Sequence, residues 1–164
     1  METLCRSLKS GDVEAVNSCL AYRTDLGLLT PQDSEMHCAA LAALQESWDF
    51  NLLGNGSTDK TRAWQELQLR VLDFSKMRQD LQQETRSQLL AISGERERSQ
   101  IYDEAGNYRP EVASEAYDRA MIRLLEQAEN YYSSVGLQVE LTLTRDGWKV
   151  VPTTELLNAL CGSR

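Results

Sequence analysis

Positive charge is scarce in this chain. Seventeen Lys and Arg stand against 25 Asp and Glu, a formal charge of −8. Neutralising a phosphate backbone takes clustered Lys and Arg, so the composition disfavours nucleic acid as a partner and equally argues against docking on anionic lipid. Long apolar runs are missing too. None approaches the roughly 18 residues of a membrane span, so these residues insert no segment into a bilayer. Histidine occurs once, at His37, which leaves no His-based metal cluster and at most one Ser–His or Cys–His pair. The adjacent Cys38 would point about 100° away on a helix and form no dyad with it, so His37 reads as a surface or packing residue. Cys5, Cys19, Cys38 and Cys161 include no C-x-x-C and match no zinc spacing. They read as small buried thiols, with a Cys19–Cys38 or Cys5–Cys38 bridge as the alternative. No P-loop, dinucleotide glycine motif, nucleophile elbow or paired-carboxylate signature is present. The sequence therefore yields no catalytic constellation, no metal site and no cofactor site. Met1-Glu2-Thr3 also lacks the basic start and apolar core of a signal peptide.

What remains is ordinary for a globular chain: 164 residues, 41% hydrophobic and 26% charged, a size that suits one domain over 1–164. Its clearest pattern is near the end. Val139, Leu141 and Leu143 alternate with Glu140, Thr142 and Thr144, the period-two signature of a half-buried strand. Arg145-Asp146-Gly147 supplies a hairpin turn, Trp148, Val150 and Val151 return the chain, and Pro152-Thr153 opens a helix with Leu156, Leu157 and Leu160 on one face.

Upstream, residues 2–22 read as helix, with Ser10-Gly11-Asp12 as a stop and restart: Gly11 can close one helix and Asp12 cap the next. Residues 23–29 connect. Thr30-Pro31-Gln32-Asp33 reads as the start of a helix to about Gln45, with Thr30 capping and Asp33 completing a capping-box-like pair. Trp48–Leu53 and Ala63–Phe74 read as two strands joined by a loop at 54–61. Leu67, Leu69 and Val71 face one way, and Glu66, Gln68 and Arg70 the other. Two long helices follow, Lys76–Ser93 and Glu111–Tyr132, separated by a polar loop from Gly94 to Pro110. The second carries an Ala-rich stripe from Ala113 to Ala128 that would allow close packing against a neighbour, in this chain or in an oligomer. Helices lie between antiparallel strand pairs, which is the α+β pattern. The expected fold is a curved antiparallel sheet of about four strands packed with N-terminal helices. A long helix pair is inserted between two hairpins, and a short C-terminal helix closes the chain. The Val139–Leu143 strand should share a sheet with Leu67–Val71.

Candidate site residues are few. Asp49 and Asp73, both near strands, could place a carboxylate in a pocket as base or acid, although Asp73 also suits a helix cap. Trp48, Trp64, Phe74 and Trp148 sit on strands or their ends and could line a ligand-binding pocket, and otherwise they fill the core. Tyr102 and Tyr108 lie in the polar 94–110 loop, where exposed tyrosines can mark an interaction site. Asn55-Gly56-Ser57 matches a glycosylation sequon, but a turn needs the same residues.

Three stretches carry a resemblance: Leu8-Lys9-Ser10-Gly11-Asp12-Val13-Glu14-Ala15; the strand Leu67 to Phe74 with Asp73 at its end; and Val139 to Val150 with Gly147-Trp148-Lys149, followed by a short helix ending Asn158-Ala159-Leu160-Cys161-Gly162. Together they resemble the small extracytoplasmic lipoprotein domains of Gram-positive bacteria that take a nuclear-transport-factor-like (cystatin-like) cone fold. The resemblance implies a non-catalytic binding module, held outside the membrane by a lipid anchor upstream of these residues, with an unknown protein or a small apolar ligand as partner. Cys5, preceded by Met-Glu-Thr-Leu, is no lipobox, and four cysteines depart from that setting, which keeps a cytoplasmic location as the alternative. Relatives of the fold also include small isomerases and hydrolases that use a pocket carboxylate, and fold alone does not choose between these.

Overall fold

The computed structural model describes residues 1–29 and 32–162, apart from the side chains of Leu28, Asn55 and Ser57. Helix α1 (Glu2–Ser10) ends where Gly11 turns left-handed, φ +70°, and returns its N–H to the Leu8 carbonyl. Asp12 then caps α2 (Val13–Cys19), accepting from the Ala15 N–H at 2.9 Å. This is the stop and restart expected from Ser10-Gly11-Asp12. A single 3-10 turn, Gly27–Leu29, precedes α3 (Glu35–Ser47). The cap of α3 is Ser34, whose hydroxyl accepts from the His37 N–H, so the helix starts later than expected. Thr30 and Pro31 lie outside the described residues, and Asp33 stands before the cap instead of inside the first turn.

Strand β1 (Asp49–Asp59) runs straight through the expected 54–61 loop, and β2 (Arg62–Leu72) follows after the two-residue turn Lys60-Thr61. Glycine explains this. Gly54 takes φ +63°, and the register shifts between Leu53 and Ser57, so the Gly-rich run becomes a bulge inside the strand. Gly56 is needed there for space, because a Cβ on it would stand 2.6 Å from the Trp64 carbonyl oxygen. β2 stops at Leu72. Asp73 caps α4 (Phe74–Glu95), so Phe74 opens a helix and does not close a strand.

The excursion between β2 and the next strand is α4, a one-turn α5 (Arg98–Ile101) and α6 (Pro110–Leu125). Ile92, Ile101, Val112 and Ala116 form a small apolar cluster of their own. That cluster orders most of the stretch expected to be a polar loop, and Tyr102 bridges Tyr108 across it. The Ala-rich stripe is used within the chain: Ala116 and Ala120 are fully buried where α6 meets α4, while Ala113 is exposed. α6 ends at Leu125, short of the expected Tyr132. A 3-10 turn at Ala128–Tyr131 leads into β3 (Tyr132–Thr144). The apolar spacing of Ala128 and Tyr131 continues the helical stripe, but from Tyr132 onward the backbone is claimed by pairing with β2. β4 (Gly147–Val150) and α7 (Thr154–Leu160) finish the chain.

The sheet has order β1-β2-β3-β4, every pair antiparallel. Leu67 faces Leu137, Leu69 faces Val135, Leu52 faces Leu67, and Leu141 faces Val150. Directly opposed residues share a face, so these side chains form one apolar surface. Leu4 and Leu8 of α1, Val16 of α2, Ala40 and Leu44 of α3, and Leu156 and Leu160 of α7 cover it in one continuous core. Leu20 makes a parallel bridge to Val150, covering part of the outer edge of β4. The four cysteines are free thiols, so the Cys19–Cys38 and Cys5–Cys38 bridges are not formed.

Candidate functional site

Helix α7 borders two clefts. Thr153 caps it, accepting from the Leu156 N–H at 3.2 Å, and Leu156, Ala159 and Leu160 are buried. Because the helix is short and lies over only part of the apolar face, a cleft opens on each side of it. The first, about 210 Å³, is floored by Val71, Val135 and Leu137 of the sheet and walled by Asn158, Ala159 and Gly162, with Asp73 and Glu155 also lining it. The second, about 120 Å³, is lined almost wholly by apolar groups, among them Leu26, Leu29, Leu44, Trp48, Leu157 and Leu160. Cys161 touches it, and burial pushes that thiol up from its ordinary pKa.

The candidate carboxylates part company here. Asp49 is exposed, which removes it as a sheltered base. Asp73 is 3% exposed and lines the first cleft. Its Oδ1 accepts from the Ser75 N–H at 3.1 Å and from the Ser75 hydroxyl, and its Oδ2 accepts from the Ser133 hydroxyl at 2.8 Å. Its own N–H donates to the Tyr131 carbonyl at 2.9 Å. These bonds tie together the start of α4, the end of β2 and the start of β3. Asp73 thus acts as the cap that its position before a helix suggested, and its oxygens are engaged in that task.

The four candidate aromatics do not converge. Trp48 is fully buried and donates its indole N–H to the Leu160 carbonyl at 3.2 Å, which ties α3 to α7. Phe74 packs beneath Gly162: a Cβ built on that glycine would stand 2.9 Å from its ring. These two flank α7. Trp64 pairs with Glu140 in the ladder and so lies on the opposite, polar face of the sheet. Trp148 is 44% exposed on β4, opposite an equally exposed Leu143. Tyr102 and Tyr108 are half-buried at the far end of the helical excursion, with ring centroids 4.9 Å apart and hydroxyls 3.5 Å apart. The hydrogen bond the two hydroxyls share holds Tyr102 below the usual tyrosine range and raises Tyr108. His37 is buried near the start of α3, in keeping with a packing role.

Sequence reasoning missed most of the cleft residues. Leu26 and Leu29 sit in a segment read as a connector. Gly162 had a usable signal: a glycine just past a helix end commonly turns left-handed, and it does so at φ +68°.

No family model and no curated protein matches the chain. Among solved structures it is similar to a crystal structure described as "a putative lipoprotein (ycdA) from Bacillus subtilis", with a TM-score of 0.50 and 12% identity. The match covers 97% of this chain and 44% of that one, so this chain spans less than half the length of the protein it matches. At that identity the likeness is one of fold. Among the described residues no helix is long and apolar enough to cross a membrane.

Proposed function

We propose that residues 1–164 form a single, non-catalytic binding domain of an extracytoplasmic lipoprotein, of the cone-fold type, taking a small apolar ligand in the clefts beside α7. The observation that carries this reading is the pair of clefts themselves, one of them almost entirely apolar in its lining. Concave, mainly apolar pockets with a few polar groups are where small ligands bind. The fold likeness to the Bacillus subtilis protein, together with the sequence resemblance, supports the lipoprotein setting. The cone-fold enzymes that use a pocket carboxylate are the competing reading. What counts against them is that Asp73 already accepts from Ser75 and Ser133.

Two experiments test this. Metabolic labelling of the native full-length protein with an alkyne fatty acid, followed by fractionation, should find label and protein together in the membrane fraction; unlabelled protein in the cytosol would end the lipoprotein reading. Titration with an apolar fluorophore such as anilinonaphthalene sulfonate should give saturable enhancement in the folded protein that Leu137→Arg abolishes. Enhancement that survives this substitution in a still-folded protein would remove the first cleft as the site.

A further inference from the structure

A second surface, far from α7 in character, carries uncommitted cations. Arg78, Gln82 and Arg86 recur every four residues along α4 and so share one helix face. With a rise of 1.5 Å per residue, the two arginines stand about 12 Å apart along the axis. Leu81 and Thr85 lie beside them, and Tyr117 of α6 forms the opposite wall, enclosing a groove of about 340 Å³. Tyr117 is 42% exposed, one of the few large side chains left open to solvent.

Seven of the other arginines are committed, and Arg6, Arg98 and Arg145, which like Arg78 and Arg86 make no ion pair among the described residues, stand singly on α1, on α5 and in the β3–β4 turn. Arg23, Arg62, Arg96, Arg119 and Arg123 each have a carboxylate within 4.0 Å. Arg70 and Arg109 donate to backbone carbonyls. Among the described residues, Arg78 and Arg86 make no such pair. The acids of α4 are turned elsewhere: Glu84 takes Arg123 at 3.2 Å, and Asp80 accepts from the Tyr131 hydroxyl at 2.9 Å. The Thr85 hydroxyl is turned back to the Leu81 carbonyl. In a chain of net charge −8, two unspent guanidinium groups with an amide between them and an aromatic wall beside them are a local reversal of charge.

We infer that this groove docks an acidic, extended segment of a partner protein through two carboxylates, with an apolar side chain between them seated on Tyr117 and Leu81. An extended chain advances about 3.3 Å per residue and alternates its side chains, so carboxylates at positions i and i+4 point the same way roughly 13 Å apart, matching the arginines. The residue at i+2 shares that face and meets the aromatic wall. Arginine suits the role because its planar fork binds a carboxylate through two parallel hydrogen bonds. A second copy of this chain fits less well, since it brings another eight negative charges toward the first. The inference goes beyond the α7 clefts and does not depend on them.

The probe is a synthetic peptide with glutamate–alanine–leucine–alanine–glutamate at its centre, titrated into the full-length, nitrogen-15-labelled chain, with a control peptide carrying lysine at both glutamate positions. The expected result is amide shifts confined to residues 78–86 and the surroundings of Tyr117, absent with the lysine peptide and weakened by added salt. The double variant Arg78→Ala, Arg86→Ala, checked for retained fold by circular dichroism, should bind about tenfold or more weakly. No shifts at millimolar peptide, shifts elsewhere, or equal shifts with the lysine peptide would overturn the inference. So would a concentration-dependent dimer that the double variant dissolves, since that assigns the groove to a second copy.

Discussion

Gly162 and Gly147 both hold left-handed backbone, at φ +68° and +99°, but only Gly162 is walled in. A Cβ at Gly162 would run into the Leu72 carbonyl and the Phe74 ring, whereas one at Gly147 would meet nothing within 4 Å. Gly147→Ala therefore carries conformational strain alone and should cost about 1 kcal/mol. Gly162→Ala adds a backbone collision at the end of β2 and should cost about 2–3 kcal/mol, read as a lower urea midpoint at unchanged slope. Equal costs for the two would refute the steric account. The thiols give a second test at this scale. Cys38 is exposed, while burial raises the pKa of Cys5 and Cys161 and keeps them protonated. Since the thiolate is the nucleophile, Ellman's reagent at mildly alkaline pH should label Cys38 first and Cys5 and Cys161 last. Denaturation without reductant should release four thiols.

The contact between α4 and α6 is where two elements hold each other by charge as well as by small side chains. Arg96 donates to Glu115 at 2.7 Å, Arg119 donates to the same Glu115 oxygen at 2.8 Å, and Arg119 also lies 3.7 Å from Glu95. The hydrogen bond from Arg96 holds the Glu115 carboxyl below the usual carboxylate range, and the nearby charges of Arg96 and Arg119 act in the same direction. A carboxyl with a depressed folded-state pKa stabilises the fold above its unfolded pKa, and that contribution is lost as pH falls through the folded value. The midpoint difference between the wild-type protein and Glu115→Gln should thus be largest near neutrality and shrink toward zero at the acid end of the carboxylate range. It should be small throughout, because water screens a half-exposed pair. A difference that is constant with pH would show that packing, not charge, is what the substitution removes. The same helices illustrate how far periodicity carries. Ala116 and Ala120 were legible as a buried face from spacing alone. The end of α6 was not, because Ala128 and Tyr131 keep helical spacing, while the pairing of Tyr132 with Leu72 is a contact between residues 60 apart.

Across the whole molecule, apolar burial is divided between the large core over the sheet and the small cluster of Ile92, Ile101, Val112 and Ala116 at the tip of the excursion. Regions with few buried apolar contacts open at lower free energy. Hydrogen exchange should therefore be faster for α5 and the Asp103–Asn107 turn than for the paired amides of β2 and β3. Ile101→Ala should accelerate exchange at the tip and leave the β2–β3 amides near their original rates; uniform acceleration would mean that the tip and sheet unfold as one unit.

Several features followed from sequence alone because their causes are local. Alternation in β2 and in the Val139–Leu143 stretch, the Gly11-Asp12 restart, the Asp146-Gly147 turn and the Asp73 cap each depend on residues within a few positions of one another. Tertiary structure decided the rest. Gly54 and Gly56 became a bulge in place of a loop because β2 claimed the backbone on either side. The aromatics separated because the ladder placed Trp64 on the polar face and Trp148 on the edge strand. The clefts beside α7 and the groove at Arg78 and Arg86 exist only where elements distant in sequence meet. Their lining could not be read from any one segment, because a cavity is made by what two surfaces leave unfilled.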